Sequence, residues 1–241
     1  FLLTIALLNL GRGLCKTRQS LRIMSYNIRI GIGMDQQTNL KRIAEVINKI
    51  QPDYVGLQEV DSVCERSGWI NQYAELARLT GMYPIFAPAT ERSKGLYGIA
   101  ALSRKKPRSY QYIPLPGKEE PRTFRCLEYP NDTLCNTHVS LYPDSRLASI
   151  RLINETMKRE NKPILITGDF NMEPDSKEFK AMKQTWRLLS DPTLETYPSD
   201  HPRLRLDYIF GDLRHEFRII NDQVIDIQSS DHLPIYIDVL F

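Results

Sequence analysis

The sequence predicts an α+β fold: a four-layer αββα sandwich, two packed mixed or antiparallel sheets with helices on both outer faces. Three observations predict it. β-rich runs bounded by turn residues outnumber the helical stretches. Several of these runs follow one another through tight turns, which argues against a parallel doubly wound sheet. The helical stretches are amphipathic, so each must lay an apolar face on a sheet. The chain has 241 residues, 41% of them hydrophobic and 25% charged, enough for a substantial core. Disorder, a collagen-like chain and a small disulfide scaffold are excluded.

In chain order, strands are expected over 21–30, 54–60, 83–87, 98–103, 110–115, 123–129, 134–140, 164–168, 206–210, 217–226 and 235–241. Leu40, Ile43, Ile47 and Ile50 share one helical face, and Leu147, Ile150, Ile153 and Met157 share another. Shorter helices are expected over 71–79 and 176–183. Asn39 and Ser145 are suited to be N-caps, and Pro52 stops the first helix. No linker, low-complexity tract or internal repeat divides the chain, so one domain is expected over 21–241.

Residues 1–20 form a separate case. The first ten, Phe-Leu-Leu-Thr-Ile-Ala-Leu-Leu-Asn-Leu, are too few to span a bilayer and match a signal-peptide apolar region, with Gly11-Arg12-Gly13 offering small residues for cleavage. The expectation is export, periplasmic or extracellular, with membrane anchoring only if this segment is retained or Cys15 is lipidated. Leu14 is a poor residue to precede a lipidated cysteine. Cys64, Cys126 and Cys135 lack metal-type spacing and read as packing residues. A Cys126–Cys135 bridge is open, since the two flank a turn-like Pro130-Asn131-Asp132-Thr133.

Thirty-two Lys+Arg against 29 Asp+Glu give a net charge of +3, too balanced for a protein that holds nucleic acid by bulk charge. Any phosphate recognition must be local. The most informative segment is Ile164-Leu165-Ile166-Thr167-Gly168-Asp169-Phe170-Asn171, where a buried apolar strand ends in an acid and an amide two residues apart. Polar residues end other strands too: Asn27, Glu59 after Gly56-Leu57-Gln58, and His138 after Asn136-Thr137. Ser230-Asp231-His232 precedes the last strand, and Asp207 adjoins another. Singly, each has a bland alternative as a turn residue, cap, ion-pair partner or core histidine. Together, at separate strand ends, they would form one polar mouth between the packed sheets.

Asn27, Gln58-Glu59, Thr137-His138, Gly168-Asp169-Phe170-Asn171 with Pro174, Asp207-Tyr208-Ile209 and Ser230-Asp231-His232-Leu233-Pro234 resemble the ordered signature of the endonuclease/exonuclease/phosphatase superfamily. That superfamily includes deoxyribonuclease I, neutral sphingomyelinases, inositol polyphosphate 5-phosphatases and deadenylases. The resemblance spans roughly 21–241 and implies the αββα sandwich and divalent-metal-dependent hydrolysis of a phosphate ester. It implies Mg²⁺ or Mn²⁺, with Glu59 as principal ligand, Asn27 on the metal or the phosphate, and Asp231 near the metal. His232 is implied as general base oriented by Asp207, Asp169 as the residue that positions the water or assists proton transfer, and His138 and Asn171 as hydrogen-bond donors to phosphate oxygens. One or two metals are both compatible.

For the substrate, the polar stretch 90–98 containing Tyr97 is a candidate substrate-facing loop, and the loop 197–202 a candidate wall of the site. Arg122 and Arg146 are candidates to meet a phosphate, although an arginine in an ion pair is the commoner case. Residues 104–108, Arg-Lys-Lys-Pro-Arg, read as a charged turn, and His201 and His215 as surface or structural residues. The expected partner is a phosphate-ester substrate, with nucleic acid open, no stable membrane span and a monomeric chain. A secreted nuclease and a sphingomyelinase-like lipid phosphodiesterase remain alternatives, the latter without an apolar membrane-docking loop recognisable in the sequence. A non-catalytic phosphate- or glycan-binding protein is the alternative of another class.

Overall fold

The computed structural model describes residues 20–241; the apolar N-terminal segment and Cys15 lie outside the described residues. The chain runs β1 (Ser20–Asn27), α1 (Leu40–Ile50), β2 (Tyr54–Ser62), α2 (Gln72–Thr80), β3 (Tyr83–Arg92), β4 (Gly95–Ser103), β5 (Ser109–Leu115), β6 (Arg122–Glu128) and β7 (Thr133–His138). It continues through α3 (Pro143–Met157), β8 (Ile164–Asp169), α4 (Lys177–Met182), β9 (Trp186–Leu188), β10 (Asp207–Asp212), β11 (Arg218–Val224) and β12 (Ile235–Leu240). Two six-stranded sheets result, ordered β11-β12-β1-β2-β4-β3 and β5-β6-β7-β8-β10-β9.

Two pairs are parallel, β1 with β2 and β7 with β8, and all others are antiparallel. A parallel pair cannot be joined by a hairpin and needs a crossover. Helix α1 supplies one and α3 the other, and this places a helix on each outer face. Leu40, Ile43, Ile47 and Ile50 of α1 pack with Leu76 and Ala77 of α2 on the outside of the first sheet. Ile150, Ile153 and Met157 of α3 pack with Phe179 and Met182 of α4 on the second. Between the sheets lie Ile23, Tyr54, Leu134, Leu165, Ile209, Ile235 and Ile237. The expected four layers are thus present.

A polar plug interrupts this inner layer. Asn136 donates to the carbonyls of Leu57 and Ala100, both at 3.0 Å, and accepts from Gln58 at 2.7 Å, so it stitches one sheet to the other. A Cβ added at Gly56 would meet Thr167 Oγ1 at 2.1 Å, so only glycine admits this close approach.

The expected caps hold in part. Asn39 accepts from the backbone N–H of Lys41 and Arg42, and Gln51 ends α1 in the left-handed region one residue before Pro52. Ser145 does not cap α3. The helix starts earlier, with Pro143 in its first turn behind Tyr142, because proline's fixed φ suits that position and it has no N–H to satisfy. A twelfth strand, β9, is only three residues long and carries no alternating pattern. The first strand ends at Asn27 rather than residue 30, since Arg29 and Ile30 turn into positive φ. The stretch 90–98 is not a loop: it forms the ends of β3 and β4, joined by a tight turn in which Ser93 and Lys94 both have positive φ. Cys126 and Cys135 pair directly across β6 and β7 as free thiols, with sulfurs 2.8 Å apart.

Candidate active site

Topology brings the polar strand ends to one pole. The crossover connections make β1, β2, β7 and β8 point the same way, so Asn27, Glu59, His138 and Asp169 lie at or near their C-terminal ends. Strand β10 is antiparallel to β8 and begins there, with Asp207 directly opposite Asp169. Strand β12 is antiparallel to β1 and enters from the same end, so the loop carrying Asp231 and His232 arrives beside Asn27. The open end is a cleft of about 770 Å³ whose lining includes Glu59, His138, Asp169, Asn171, Asp231 and His232.

Two backbone departures aim the side chains. The β2–β4 register slips between Leu57 and Val60, and Glu59 takes φ 56°, so a bulge turns its carboxylate into the cleft. Asn171 has φ 47°, its N–H bonds Asp169 Oδ1 at 3.0 Å and its side chain donates to the Val139 carbonyl at 3.1 Å. Only asparagine, aspartate and glycine take that conformation readily.

Asp169 is the hub. Its Oδ2 accepts from Asn27 Nδ2 at 3.0 Å and lies 3.4 Å from His138 Nε2 and 3.6 Å from His232 Nε2. The same Asn27 amide donates to Glu59 Oε1 at 3.0 Å, while its oxygen accepts from the N–H of Arg29. His232 Nδ1 is 2.9 Å from Asp207 Oδ2. Asp207 Oδ1 is buried without a hydrogen-bond partner, so the imidazole is the principal stabiliser of that carboxylate. The Tyr197 ring lies 4.7 Å from that of His232 and closes it from the side, as expected for a wall from the loop 197–202.

The electrostatics follow from burial and neighbours. Burial raises the Glu59 carboxyl above its ordinary range, opposed by the Asn27 hydrogen bond and reinforced by Asp231. Burial also pushes Asp169 up, with His232 opposing and Asp207 reinforcing. For His232, burial disfavours the charged ring, but the charges of Asp207 and Asp169 and the Asp207 hydrogen bond overcome it and raise its pKa to about 10. His138 goes the other way: burial, Arg122 and His232 all hold it neutral.

The tautomer of His138 can be derived. Arg122 Nη1 lies 3.1 Å from His138 Nδ1, and a guanidinium only donates, so Nδ1 must accept and the ring proton sits on Nε2, on the side of Asp169. Arg122 is itself held by Glu119 at 2.9 Å and Glu120 at 3.2 Å.

Each residue expected at the site on sequence grounds lines the cleft or contacts a residue that does. Asp207 and Asn27 stand behind the lining residues. Tyr97, Arg122 and Arg146 are part of the lining, but their freedom differs. Arg146 is buried with Nε and Nη2 on Glu178 and Nη1 on the carbonyls of Ser140 and Leu141, which makes it a brace of the loop after β7. Arg29, which pairs with Asp231 at 3.5 Å, and the lining residues Arg66 and Glu120 fall outside the positions the sequence marks, whereas Arg92 belongs to the stretch 90–98. Arg29 stands two residues after Asn27, a spacing that could have drawn attention to it.

Oxygen donors dominate the centre. Glu59 and Asp231 offer carboxylates suited to a hard cation. Asp169, Asp207 and His232 form a buried three-residue group with ligand atoms within 4.8 Å of one another. Within that group the short His232–Asp207 contact is already a hydrogen bond, so a cation between those two would have to displace its proton.

The two-sheet αββα sandwich thus carries an Asp–His pair, a second imidazole and a bulged glutamate at one pole. The chain belongs to the Endonuclease/Exonuclease/phosphatase family, whose model matches residues 24–232. Among solved structures it is similar to an endonuclease/exonuclease/phosphatase from Beutenbergia cavernae, at 21% identity and TM-score 0.76 over 92% of this chain and 72% of that one. It is similar to a mannosyl-6-phosphatase from Bacteroides thetaiotaomicron, at 18% identity and TM-score 0.73 over 92% of this chain and all of that one, with 100% covered. The human Nocturnin catalytic domain, with bound sulfate, matches at 20% identity and TM-score 0.69 over 92% and 96% of the two chains. Comparison with curated protein sequences finds no match.

Proposed function

We propose that the chain is a divalent-metal-dependent hydrolase of phosphate esters in which water attacks phosphorus in line. One observation carries the reading: Asp169, from the second sheet, is tied to Glu59, from the first, through the single Asn27 amide, and lies within 3.6 Å of both imidazoles. A purely structural cluster would not need three carboxylates raised or held in hydrogen bonds at the mouth of a cleft.

Glu59 and Asp231 would hold Mg²⁺ or Mn²⁺, with Asn27 fixing the Glu59 carboxylate. The donors are all oxygen, and the burial that raises Glu59 is the cost a bound cation offsets. Such an ion, when bound, polarises the phosphoryl oxygen and stabilises the leaving oxyanion.

The remaining steps belong to side chains. His138, neutral and with its proton on Nε2, donates a hydrogen bond to a phosphoryl oxygen. Asn171 positions Asp169 through its backbone N–H and retains a second amide hydrogen for the phosphate. Asp169 Oδ2 and His232 Nε2 face each other at 3.6 Å, so the charge on each bears on the other. With Asp207 favouring the imidazolium, Asp169 is the member that accepts the proton as the water oxygen bonds to phosphorus, and His232 carries positive charge opposite the developing negative charge. This moves the base from the expected His232 to the pair, with His232 as its charged half. The alkoxide leaves with the P–O bond electrons and takes from the pair the proton that the water gave up, becoming the alcohol.

The test is a panel: purified protein with Mg²⁺, then Mn²⁺, against DNA, RNA, sphingomyelin, inositol phosphates and sugar phosphates. Turnover of at least one ester, lost in Asp169→Asn, is expected. Saturable binding with no turnover on any of them would favour the non-catalytic phosphate-binding reading instead.

A further inference from the structure

We propose that Arg66, Tyr97 and Glu120 form a charge-neutral subsite beside the reacting phosphate that reads the hydroxyls of a sugar, so that the substrate is a sugar monophosphate rather than a polynucleotide or a bisphosphate. The inference deepens the phosphate-ester reading and rests on it.

Arg66 is built into place. Its Nη2 and Nε grip buried Asp61 at 2.7 and 2.9 Å, and its guanidinium lies 5.2 Å from the centre of the Tyr97 ring. Its backbone N–H bonds the Ser93 hydroxyl at 3.0 Å, which fastens this turn to the β3–β4 hairpin. At Gly95 an added Cβ would meet the Val63 carbonyl at 2.4 Å, so the two segments touch where only glycine fits. A fork fixed on two nitrogens leaves Nη1 with no protein partner among the described residues, on a residue that lines the cleft.

The subsite is continuous with the catalytic centre. Tyr97 is buried, lines the same cleft as Glu59 and Glu120, and lies under the Arg66 guanidinium, so its phenol is part of the wall. Glu120 is held from one side by Arg92 of the hairpin and from the other by Arg122. It joins the rims of the two sheets and lines the same cleft as Arg66 and Tyr97.

Charge decides what this wall can bind. The cleft lining carries five arginines against six carboxylates, and Arg66, Arg92, Arg122 and Arg146 each have a carboxylate partner. A polynucleotide binds chiefly by unpaired cations that neutralise successive phosphates, and a second phosphoryl group would need the same. A neutral polyol needs what is present: a fixed donor, a phenol and a carboxylate acceptor on the lining of one cleft.

The experiment compares wild type, Arg66→Ala and Arg66→Lys on mannose 6-phosphate and on 4-nitrophenyl phosphate, which has no sugar hydroxyls, with calorimetric binding of mannose 6-phosphate and inorganic phosphate alongside. The ratio of kcat/KM for the sugar ester over the aryl ester should fall about 10- to 100-fold in Arg66→Ala, mainly through KM, as for loss of a charged hydrogen bond. The ratio of sugar-phosphate to phosphate affinity should fall in step. Arg66→Lys keeps the charge but not the fork and should be intermediate; it carries the test if the alanine variant does not fold. Unchanged ratios, or a wild type that binds a single-stranded oligonucleotide more tightly than mannose 6-phosphate, would overturn the proposal. Arg66-dependent binding without turnover of either ester would leave the subsite standing and sink the hydrolase reading alone.

Discussion

Arg122 Nη1 lies 3.1 Å from His138 Nδ1 and so determines which nitrogen of that buried ring carries the proton. The ring is held neutral, and its Nε2–H is directed to the side of Asp169. Arg122→Ala should release the tautomer. We expect kcat to fall by about one to two orders of magnitude, less than the roughly 10²–10³ of losing an oxyanion donor outright. Nitrogen-15 NMR of His138 in the variant should show the Nδ1–H form gaining population.

Asp207 does for His232 what Arg122 does for His138, with the opposite charge. Asp207→Asn keeps the size of the side chain and removes the charge that makes the imidazolium favourable. Rate loss of about 10³–10⁴ is expected, comparable to neutralising the acid of other acid–histidine pairs. The melting temperature should fall as well, because Asp207 Oδ2 is the buried charged partner of His232 Nδ1. Steady-state kinetics with a parallel thermal melt reads both outcomes.

Much of this centre is legible from sequence because each polar residue interrupts an apolar run at a strand end, and the parallel pairs gather those ends. Asp169 after Ile164-Leu165-Ile166 and Glu59 after Val55-Gly56-Leu57 are examples. The rim is not legible. Arg66 looks like any surface arginine until Asp61 is seen to grip it, and the hairpin turn at Ser93-Lys94 has none of the Asn-Gly or Gly-rich signals that mark such turns. The brief β9 has too few residues to show a period, and Pro143 rather than a polar cap starts α3. The facing of Cys126 and Cys135 depends on the β6–β7 register, which their spacing alone does not settle.

Glu119 should couple stability to acid pH. Burial pushes its carboxyl up, but the Ser140 hydroxyl, its own N–H, the Leu141 N–H and Arg122 prevail and depress it to about 2. A depressed carboxylate stabilises the fold above the ordinary pKa of about 4.3 and loses that contribution as pH falls towards 2. Urea midpoints of wild type should therefore drop more steeply than those of Glu119→Gln between about pH 5 and pH 2. Parallel curves would contradict the assignment.

The close approach of the two sheets rests on Gly56. An alanine there would press on Thr167 Oγ1 and on Asn136 Oδ1, which a Cβ would meet at 2.6 Å, and disturb the Asn136–Gln58 plug. A loss of about 1–3 kcal/mol or more is expected for such overpacking, and urea unfolding measures it.

The most direct measurement is turnover of a phosphate monoester by chelator-stripped protein, before and after Mg²⁺ or Mn²⁺ is added back, in wild type and in Glu59→Gln. Wild type should be silent when stripped and recover with the cation, while folded Glu59→Gln should stay at least about a hundredfold slower at any cation concentration. Undiminished hydrolysis in chelator, or full activity in Glu59→Gln, would contradict a centre in which Glu59 and Asp169 act on one ester.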